Sequence, residues 1–432
     1  MNKPRILFIT PLPPPVHGSA MVSQYIKDSE LIRGEFDCDF VNLSTSRRMD
    51  EIGKGGAKKL LRFVGSFFVL FYKLLVHRYD LCYLAITCHG VGFLKDAPFV
   101  LLCKLFGRKV VIHQHNKGMS GCIDRWPYRW LIPYIYKRAR VILLSWHLYP
   151  DIAQAVKREQ VMICPNGIPE TVSGERLVLN GTDIKPSTQT PQQEQRDLTK
   201  HSTLNSKHYT LNSKQEQRDL AKHSTLNSKH STLNSKHSTL NTKQEHRSPL
   251  TVNLLFLSNL IPSKGVYVLL DACEILKDKG LNFHCNCVGG ESKEINRSVF
   301  EQAVRERGLD DCVTYHGPKY GDDKERYWQM ADVFVLPTYN ETFGLVIVEA
   351  MQYRLPIVST DEGGIPDVVI DGQNGFICKR KDAVLLANAI ERLLQDEALR
   401  HRMGAEGYRI YQEKFTLQCF ERRFVECLRR GE

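Results

Sequence analysis

Short apolar runs alternate with longer amphipathic segments along both halves of the chain. The runs are rich in β-branched residues, as expected of strands that are covered on both faces. They fall at 6–10, 81–85, 110–113 and 141–145, and again at 254–258, 283–288, 313–316, 333–336 and 357–359. Alternating strand and helix patterns predict parallel α/β sheets. We therefore expect two Rossmann-like domains facing each other across a cleft, a common place for a ligand.

A low-complexity segment separates the two halves. The heptad His201–Lys207 recurs with small changes at 208, 223, 230 and 237. Each repeat offers one apolar position, whereas a coiled coil needs two. We predict a disordered insertion over 171–250, between domains at 1–170 and 251–411 and a final segment at 412–432. Its six histidines (201, 208, 223, 230, 237 and 246) offer only weak metal ligands, so no metal site is expected.

Length and charge set the broad class. A chain of 432 residues is long enough for two domains with separate cores. The net charge of +11 is uneven, with an excess of 11 positive residues over 1–170 and an excess of 5 negative residues over 251–432. The first half is therefore expected to face an anionic partner such as a membrane surface, an anionic acceptor or a nucleic acid.

Cysteine usage and the N-terminus predict a cytoplasmic protein. The 13 cysteines are scattered and odd in number, which is typical of reduced, buried thiols rather than a disulfide framework. The segment Met1 to Arg5 runs directly into the first strand, without the apolar run of a signal peptide.

One segment predicts membrane contact. Residues 58–78 contain nine Phe and Leu residues beside five Lys and Arg residues, and the run is too short and too charged to span a bilayer. It fits either a basic amphipathic helix on a lipid surface or an ordinary helix packed on the sheet. Both hold if one end packs and the other rests on lipid. Further basic residues support the lipid contact: Lys104, Arg108, Lys109, Lys137, Arg138 and Arg140.

The most informative stretch follows the strand at 333–336. Pro337 closes that strand, and a helix without a breaker is predicted over 345–353. The turn between them therefore lies at the carboxyl end of a strand and the N-terminus of a helix, where parallel sheets bind phosphates. Glu341 and Glu349 bracket the turn, roughly 12 Å apart if every step is helical. That exceeds the spacing of about 5–9.5 Å in glycosidase carboxylate pairs, so we expect them to hold two ends of one extended ligand.

These residues resemble the E-x7-E motif of the retaining glycosyltransferases of family 4, which have the GT-B fold. Four further segments resemble motifs of the family and follow one another in the family's order. They are the segment 165–168, the strand and loop at 255–266, and the turns at 362–369 and 371–376. The likeness runs from Ile6 to about Phe415, interrupted by the insertion. It implies a nucleotide-sugar donor, a lipid-linked or growing saccharide acceptor, no cofactor and no metal. It also implies that a last helix, over about 417–430, returns to the first domain.

The resemblance assigns the cleft residues on the C-terminal side. Glu341 would contact the donor sugar, Glu349 the ribose and Lys264 the diphosphate. The amides of Phe343, Gly344 and Leu345 would face the phosphates. Asn259 stands where the family usually has an arginine, so the position keeps a hydrogen-bond donor and loses a charge.

Two further residues are assigned on the N-terminal side. Gly18 stands in the place of the first of the family's paired glycines and permits close approach of the backbone to the ligand. His115 matches the active-site histidine of the family, with His113 as the second choice. A peripheral position on the inner face of the cell membrane follows from the basic helix together with this assignment.

Two other classes of function stay open from the sequence. A nucleotide-sugar epimerase would share the GT-B fold, although the E-x7-E context and the basic helix do not favour it. A non-enzymatic binder of nucleic acid would fit the charge, but no recognised nucleic-acid motif accompanies it. The donor base, the sugar, the acceptor and the linkage depend on cleft side chains that the sequence does not place.

Overall fold

A computed structural model of the chain describes residues 3–14, 18–44, 56–171 and 251–431. The insertion predicted at 171–250, with its repeats and six histidines, lies outside these residues apart from Thr171.

The N-terminal half forms one parallel sheet with helices on both faces. Its elements are β1 (Arg5–Thr10), α1 (Gly18–Asp28), α2 (Glu30–Glu35), β2 (Asp37–Asn42), α3 (Ala57–Val76), β3 (Leu81–Ile86), α4 (Gly90–Leu105), β4 (Lys109–Gln114), α5 (Tyr128–Tyr136), β5 (Arg140–Leu143), α6 (Tyr149–Ile152) and β6 (Val161–Ile163). The strands lie in the order β2-β1-β3-β4-β5-β6. The direction of the strand order reverses at β1 and β3, whose carboxyl ends form a natural ligand crevice.

The C-terminal half repeats this architecture. Its elements are β7 (Val252–Leu257), α7 (Val266–Asp278), β8 (Phe283–Val288), α8 (Arg297–Glu306), β9 (Val313–Tyr315), α9 (Gly321–Met330), β10 (Val333–Leu336), α10 (Leu345–Gln352), β11 (Ile357–Thr360), α11 (Ile365–Val368), β12 (Gly375–Cys378), α12 (Ala383–Gln395), α13 (Glu397–Lys414) and α14 (Leu417–Gly431). The strand order is β12-β11-β10-β7-β8-β9, which places the reversal between β7 and β10. The α/β prediction of two parallel sheets is confirmed.

Strand burial explains why the apolar runs were visible in the sequence. Strands β3 and β10 are buried at every position, and β1 is buried at all but its first residue. Such strands need apolar side chains on both faces, which produces continuous runs instead of alternation. All nine predicted strands are present, with ends shifted by at most two residues.

Three strands were not predicted because their sequences lack such a run. Strand β2 carries two aspartates, β6 has three residues, and β12 begins with a glycine and has four residues. Their neighbours hold them in register: β2 pairs with β1, β6 with β5 and β12 with β11.

The last helix packs on the first sheet. Phe420 and Phe424 of α14 lie in one core cluster with Phe8 and Tyr83 of β1 and β3. The ring of Phe424 meets that of Tyr83 edge to face, with centroids 5.2 Å apart. The C-terminus therefore completes the core of the N-terminal half.

Two segments that connect the halves pair with each other. Ile168 forms a parallel bridge with Thr416, and the amide of Leu417 donates to the carbonyl of Ile168 at 2.8 Å. A Cβ atom on Gly167 would lie 2.3 Å from the carbonyl oxygen of Thr416, so only glycine fits this crossing. The two connecting segments are thus joined side by side.

Candidate active site

Two loops meet where the strand order of the C-terminal sheet reverses. One follows β7 and the other follows β10. Gly265 has φ +81°, and a Cβ atom there would lie 2.0 Å from the carbonyl oxygen of Pro337. The amide of Tyr339 also donates to the carbonyl of Ser263 at 2.8 Å. The left-handed backbone and the tight approach both require glycine, and together they bring Lys264 beside the second loop.

Lys264 and Glu341 form an ion pair in this crevice. The Nζ–Oε2 distance is 2.7 Å, and the same ammonium group donates to the carbonyl of Asn340 at 3.3 Å. The other carboxylate oxygen of Glu341 accepts from the amide of Thr342 at 2.9 Å. About a fifth of each charged side chain is exposed. Two residues predicted separately as donor contacts are therefore adjacent.

Glu349 is paired with a lysine that the sequence did not identify. Lys324 of α9 contacts its carboxylate, with an Nζ–Oε2 distance of 2.5 Å. Burial first, and then the negative charge of Glu349, raise the pKa of the Tyr25 phenol on α1. Glu349 therefore faces the N-terminal half. Lys324 escaped prediction because it stands in a charged stretch typical of a solvated helix face.

The N-terminus of α10 faces the N-terminus of α1. Gly344 precedes α10 with φ +80°, and the side chain of Phe343 is buried against Phe415. The first amides of a helix have no partner within it, and the helix dipole makes this end positive. A Cβ atom on Gly18, the first residue of α1, would lie 3.4 Å from Cδ1 of Leu345. Two helix N-termini from different halves thus converge, an arrangement that suits an anion.

Asn259 adds no charge to the site but organises a loop. Its Oδ1 atom accepts from the amide of Gly290 at 3.0 Å, which fixes the turn after β8 against the turn after β7. An arginine at this position would have to give up that hydrogen bond. Asn259 therefore leaves the charge of the family's arginine unreplaced at this position.

Of the two candidate histidines, His113 belongs to the core. Its ring is fully buried within β4, and its Nδ1 atom lies 2.8 Å from the hydroxyl oxygen of Tyr83. Burial first, and then the neighbouring His115, lower the pKa of His113 well below its ordinary value. His115 follows the strand and is only half-buried, with its ring centroid 4.0 Å from that of His113. His115 is therefore the histidine at the strand end.

A buried carboxylate links the two halves and was not among the predicted site residues. Glu362, 1% exposed, contacts the ammonium group of Lys117 from the loop after β4. It also accepts from Nη1 of Arg380 at 2.8 Å and from the amide of Glu341 at 3.3 Å. Gly363, with φ +56°, allows this contact because a Cβ atom there would lie 2.2 Å from the carbonyl oxygen of Glu341. Residues from both halves thus hold the turn that carries Glu341 in place.

The sequence did not identify Lys117 and Arg380 as cations near the candidate site. Burial first, and then the charge of Arg380, lower the pKa of Lys117, while Asp151 and Glu341 act in the opposite direction. Lys117 lies close enough to Glu341 to be influenced by its charge. Both cations are paired with Glu362, so they hold the turn that carries Glu341.

A second contact between the halves lies nearby. The hydroxyl of Ser145 donates to Oδ2 of Asp367 at 2.5 Å, and Nδ1 of His147 lies 3.1 Å from Oδ1 of the same carboxylate. A Cβ atom on Gly364 would lie 2.9 Å from Cβ of Ser145. The carboxyl edges of the two sheets therefore meet on both sides of Glu341.

Residues 241–410 match the protein family described as Glycosyl transferases group 1. The chain is 30% identical over 163 residues to the capsular polysaccharide biosynthesis glycosyltransferase CapM of Staphylococcus aureus, covering 38% of this chain and 42% of that protein. It is 32% identical over 153 residues to the amylovoran biosynthesis glycosyltransferase AmsK of Erwinia amylovora, covering 34% of this chain and 37% of that protein. The matches thus span about two fifths of these relatives. They show that the likeness to group 1 glycosyl transferases lies in the C-terminal half.

Solved structures extend the likeness to the whole fold. The chain resembles Anabaena Alr3699/HepE, solved in complex with UDP, with a TM-score of 0.64, 16% identity and coverage of 99% of this chain and 100% of that one. It also resembles the apo form of the lipopolysaccharide outer core galactosyltransferase WaaB, with a TM-score of 0.62, 14% identity and coverage of 99% and 100%. At such low identity the likeness shows the fold alone, and that fold is GT-B.

Proposed function

We propose that this protein is a retaining glycosyltransferase of family 4. It transfers a sugar from a nucleotide-diphosphate sugar to a lipid-linked or growing saccharide in cell-surface polysaccharide biosynthesis. The observation that carries the proposal is the Lys264–Glu341 pair where the order of the C-terminal sheet reverses. The capsule and amylovoran relatives support a saccharide product, and the UDP complex of HepE makes a UDP-sugar the first donor to test.

In this mechanism the leaving diphosphate lies over the N-terminus of α10. The amides of Gly344 and Leu345 and the ammonium of Lys264 stabilise the negative charge that develops as the sugar–phosphate bond breaks. Lys264 exchanges part of its contact with Glu341 for the phosphate, which frees carboxylate oxygen atoms to accept from sugar hydroxyls. Glu349 binds the ribose and releases Lys324. No step requires a metal or a cofactor.

Retention of configuration follows from attack on the same face that the leaving group departs from. The departing phosphate accepts the acceptor proton, so no enzyme carboxylate needs to lie opposite it. His115 contacts the donor sugar from the N-terminal side, and Gly18 leaves space for the ligand between the two helix N-termini.

Helix α3 supports peripheral contact with the inner face of the cell membrane. Leu70 and Leu74 are buried against the sheet, whereas Leu61, Phe68 and Leu75 are exposed. The helix therefore packs on the protein along one face and presents a second apolar face outward, as an amphipathic interfacial helix does. In the described part of the chain, no helix is long and apolar enough to cross a bilayer.

The first experiment is a thermal-shift screen against UDP, GDP, ADP and CMP. A ligand that binds only the native state raises the melting temperature by mass action. A shift with one nucleotide that is lost in Glu349→Ala supports the donor site and identifies the base. The matched control is Glu391→Ala, because Glu391 is likewise held by a lysine, Lys279, with an Nζ–Oε2 distance of 2.6 Å. No shift with any nucleotide would contradict the proposal, and epimerised nucleotide sugar formed without acceptor would favour the epimerase.

A further inference from the structure

Three helices of the N-terminal half expose large apolar side chains. This apolar surface includes side chains of α3, of the end of α4, of α5 and of Trp126, two residues before α5. The most exposed members are Leu61, Phe68, Leu75, Leu105, Trp126 and Trp130. Leu105 is 80% exposed, Trp126 81% and Trp130 67%. Large apolar side chains clustered at such exposure mark a binding surface rather than ordinary scatter.

A groove runs through this surface between the three helices. Its volume is about 590 Å³, and its apolar lining comprises Phe67 of α3, Pro98, Leu101, Leu102 and Leu105 of α4, and Tyr134 of α5. The size is that of a site for a small molecule. Helix α3 contributes Phe67 to the lining of the groove. A surface that contacts the exposed side of α3 therefore also lies close to the groove.

One cation closes the polar end of the groove. The ammonium of Lys104 donates to the carbonyls of Tyr134 at 2.8 Å and Lys137 at 2.6 Å, which satisfies the C-terminal end of α5. Burial first, and then Lys137, lower the pKa of Lys104 to about 8. The remaining lining is apolar, so the groove accepts hydrocarbon along its length and a polar head at one end.

Aromatic and basic side chains form the rim. The guanidinium of Arg129 lies 5.0 Å from the ring centroid of Trp130. Tryptophan beside arginine or lysine is favoured at the level of lipid headgroups, where the ring is half-immersed and the cation meets phosphate. The excess of positive charge over residues 1–170 complements an anionic leaflet.

We propose that this groove binds one hydrocarbon chain of an anionic phospholipid, with Trp126 and Trp130 at the headgroup level beside it. The inference rests on the membrane contact of the proposed function and does not depend on sugar transfer. The occupant is a lipid chain withdrawn from the bilayer, which distinguishes the groove from a flat surface that only adsorbs to the membrane.

The test uses the full chain and a short-chain lipid. Dihexanoylphosphatidylglycerol is titrated below its micelle concentration, and binding is followed by calorimetry and tryptophan fluorescence. We expect saturable binding of one lipid per protein. Leu105→Glu should weaken it about tenfold or more, because the variant places a charge against the bound chain. The control is Val384→Glu, which changes an equally aliphatic, 58% exposed side chain on the C-terminal half.

A second measurement needs no groove variant. Vesicles containing phosphatidylglycerol with brominated acyl chains should quench the wild-type fluorescence, and most of the quenching should disappear in Trp126→Phe/Trp130→Phe, which keeps Trp146 and Trp328. Vesicle binding without binding of the monomeric lipid would overturn the groove assignment and leave a flat contact. Equal lipid binding by Leu105→Glu and Val384→Glu would also overturn it. The nucleotide thermal shift, measured on the same samples, reports separately on the donor site.

Discussion

The ammonium of Lys117 contacts the carboxylate of Glu362, although the two residues lie in loops that follow strands of different sheets, 245 positions apart. Glu362 in turn accepts from the amide of Glu341, the proposed sugar-binding residue. The position of that residue therefore depends on a contact between the two halves of the chain.

Replacing Lys117 with methionine should remove one of the contacts between the halves. Glu362 would keep Arg380 as its cation, so the protein should fold, but the turn carrying Glu341 would lose its tie to the N-terminal half. We expect transfer to slow about tenfold or more, about 1.4 kcal/mol in the barrier. The nucleotide thermal shift should be retained, because Lys264 and Glu349 are untouched. Lys157→Met is the control, since it removes an exposed lysine whose partner, Glu159, is also exposed. A wild-type rate in Lys117→Met would contradict the link.

Replacing Glu341 with alanine should abolish transfer while the fold is kept. The side chain is partly exposed, and the contact that anchors the turn uses its backbone amide. We expect a loss of about 10²-fold or more, comparable to removing one group that stabilises a transition state. Steady-state rates and melting temperatures are measured together. Lys264→Met breaks the same ion pair from the other side and shows how much of the loss comes from the pair itself. Normal turnover in Glu341→Ala would refute the assignment.

Two substitutions of Asn259 separate the effect of charge at this position from the effect of its hydrogen bond to Gly290. Asn259→Asp keeps the oxygen that accepts from Gly290 but adds a negative charge where a diphosphate is proposed to bind. Its stability should be close to wild type, and its affinity for nucleoside diphosphates should fall about tenfold, or about 1.4 kcal/mol.

Asn259→Ala should show the reverse pattern. It loses the hydrogen bond and should be destabilised by about 1 kcal/mol, with a smaller effect on affinity. Denaturant unfolding and calorimetric titration measure the two quantities. Equal nucleotide affinity in Asn259→Asp and wild type would place the diphosphate away from this residue.

His113 should make the protein sensitive to acid. The pKa of His113 is lowered in the folded state. In the unfolded chain this pKa is about 6.5, so below about pH 6.5 the unfolded chain binds more protons than the folded chain. Stability should therefore decrease as the pH falls from about 6.5, with a slope of at most about 1.4 kcal/mol per pH unit from this group. His113→Asn keeps an acceptor toward Tyr83 and removes the titration, so its free energy of unfolding should depend less steeply on pH between 5 and 6.5. Parallel curves for the two proteins would assign the acid sensitivity to other groups.

Deleting residues 178–248 should leave folding, transfer and membrane binding nearly unchanged. The repeats offer only one apolar position in seven, whereas even a coiled coil needs two. The melting temperature and vesicle binding of the shortened chain are compared with those of the full chain. Loss of folding on deletion would show that the segment has a structural role.

The sequence was sufficient to predict the sheets and part of the candidate site because both depend on residues that are adjacent in the chain. Buried parallel strands and the turns after them are local features, so β10 and its following turn could be recognised from adjacent residues. Helix α3 packs on the sheet along one face, as one interpretation of its sequence expected, and its exposed apolar face leaves the lipid contact a prediction. In contrast, the contacts of Lys117, Lys324 and Arg380 depend on which loops the topology brings together. A lysine that will meet a buried carboxylate looks the same in sequence as a lysine on a solvated surface.

Helix α14 also sets an order of events during synthesis. Phe420 and Phe424 lie in the core of the sheet that begins at Arg5, yet they follow its last strand, which ends at Ile163, by about 260 residues. At about 5–20 residues per second, the first sheet waits roughly 13–50 s with one apolar face uncovered. Chaperones that bind nascent chains should therefore remain on the N-terminal half until α14 has been synthesised. A premature stop codon just before Leu417 would damage the half of the protein made first.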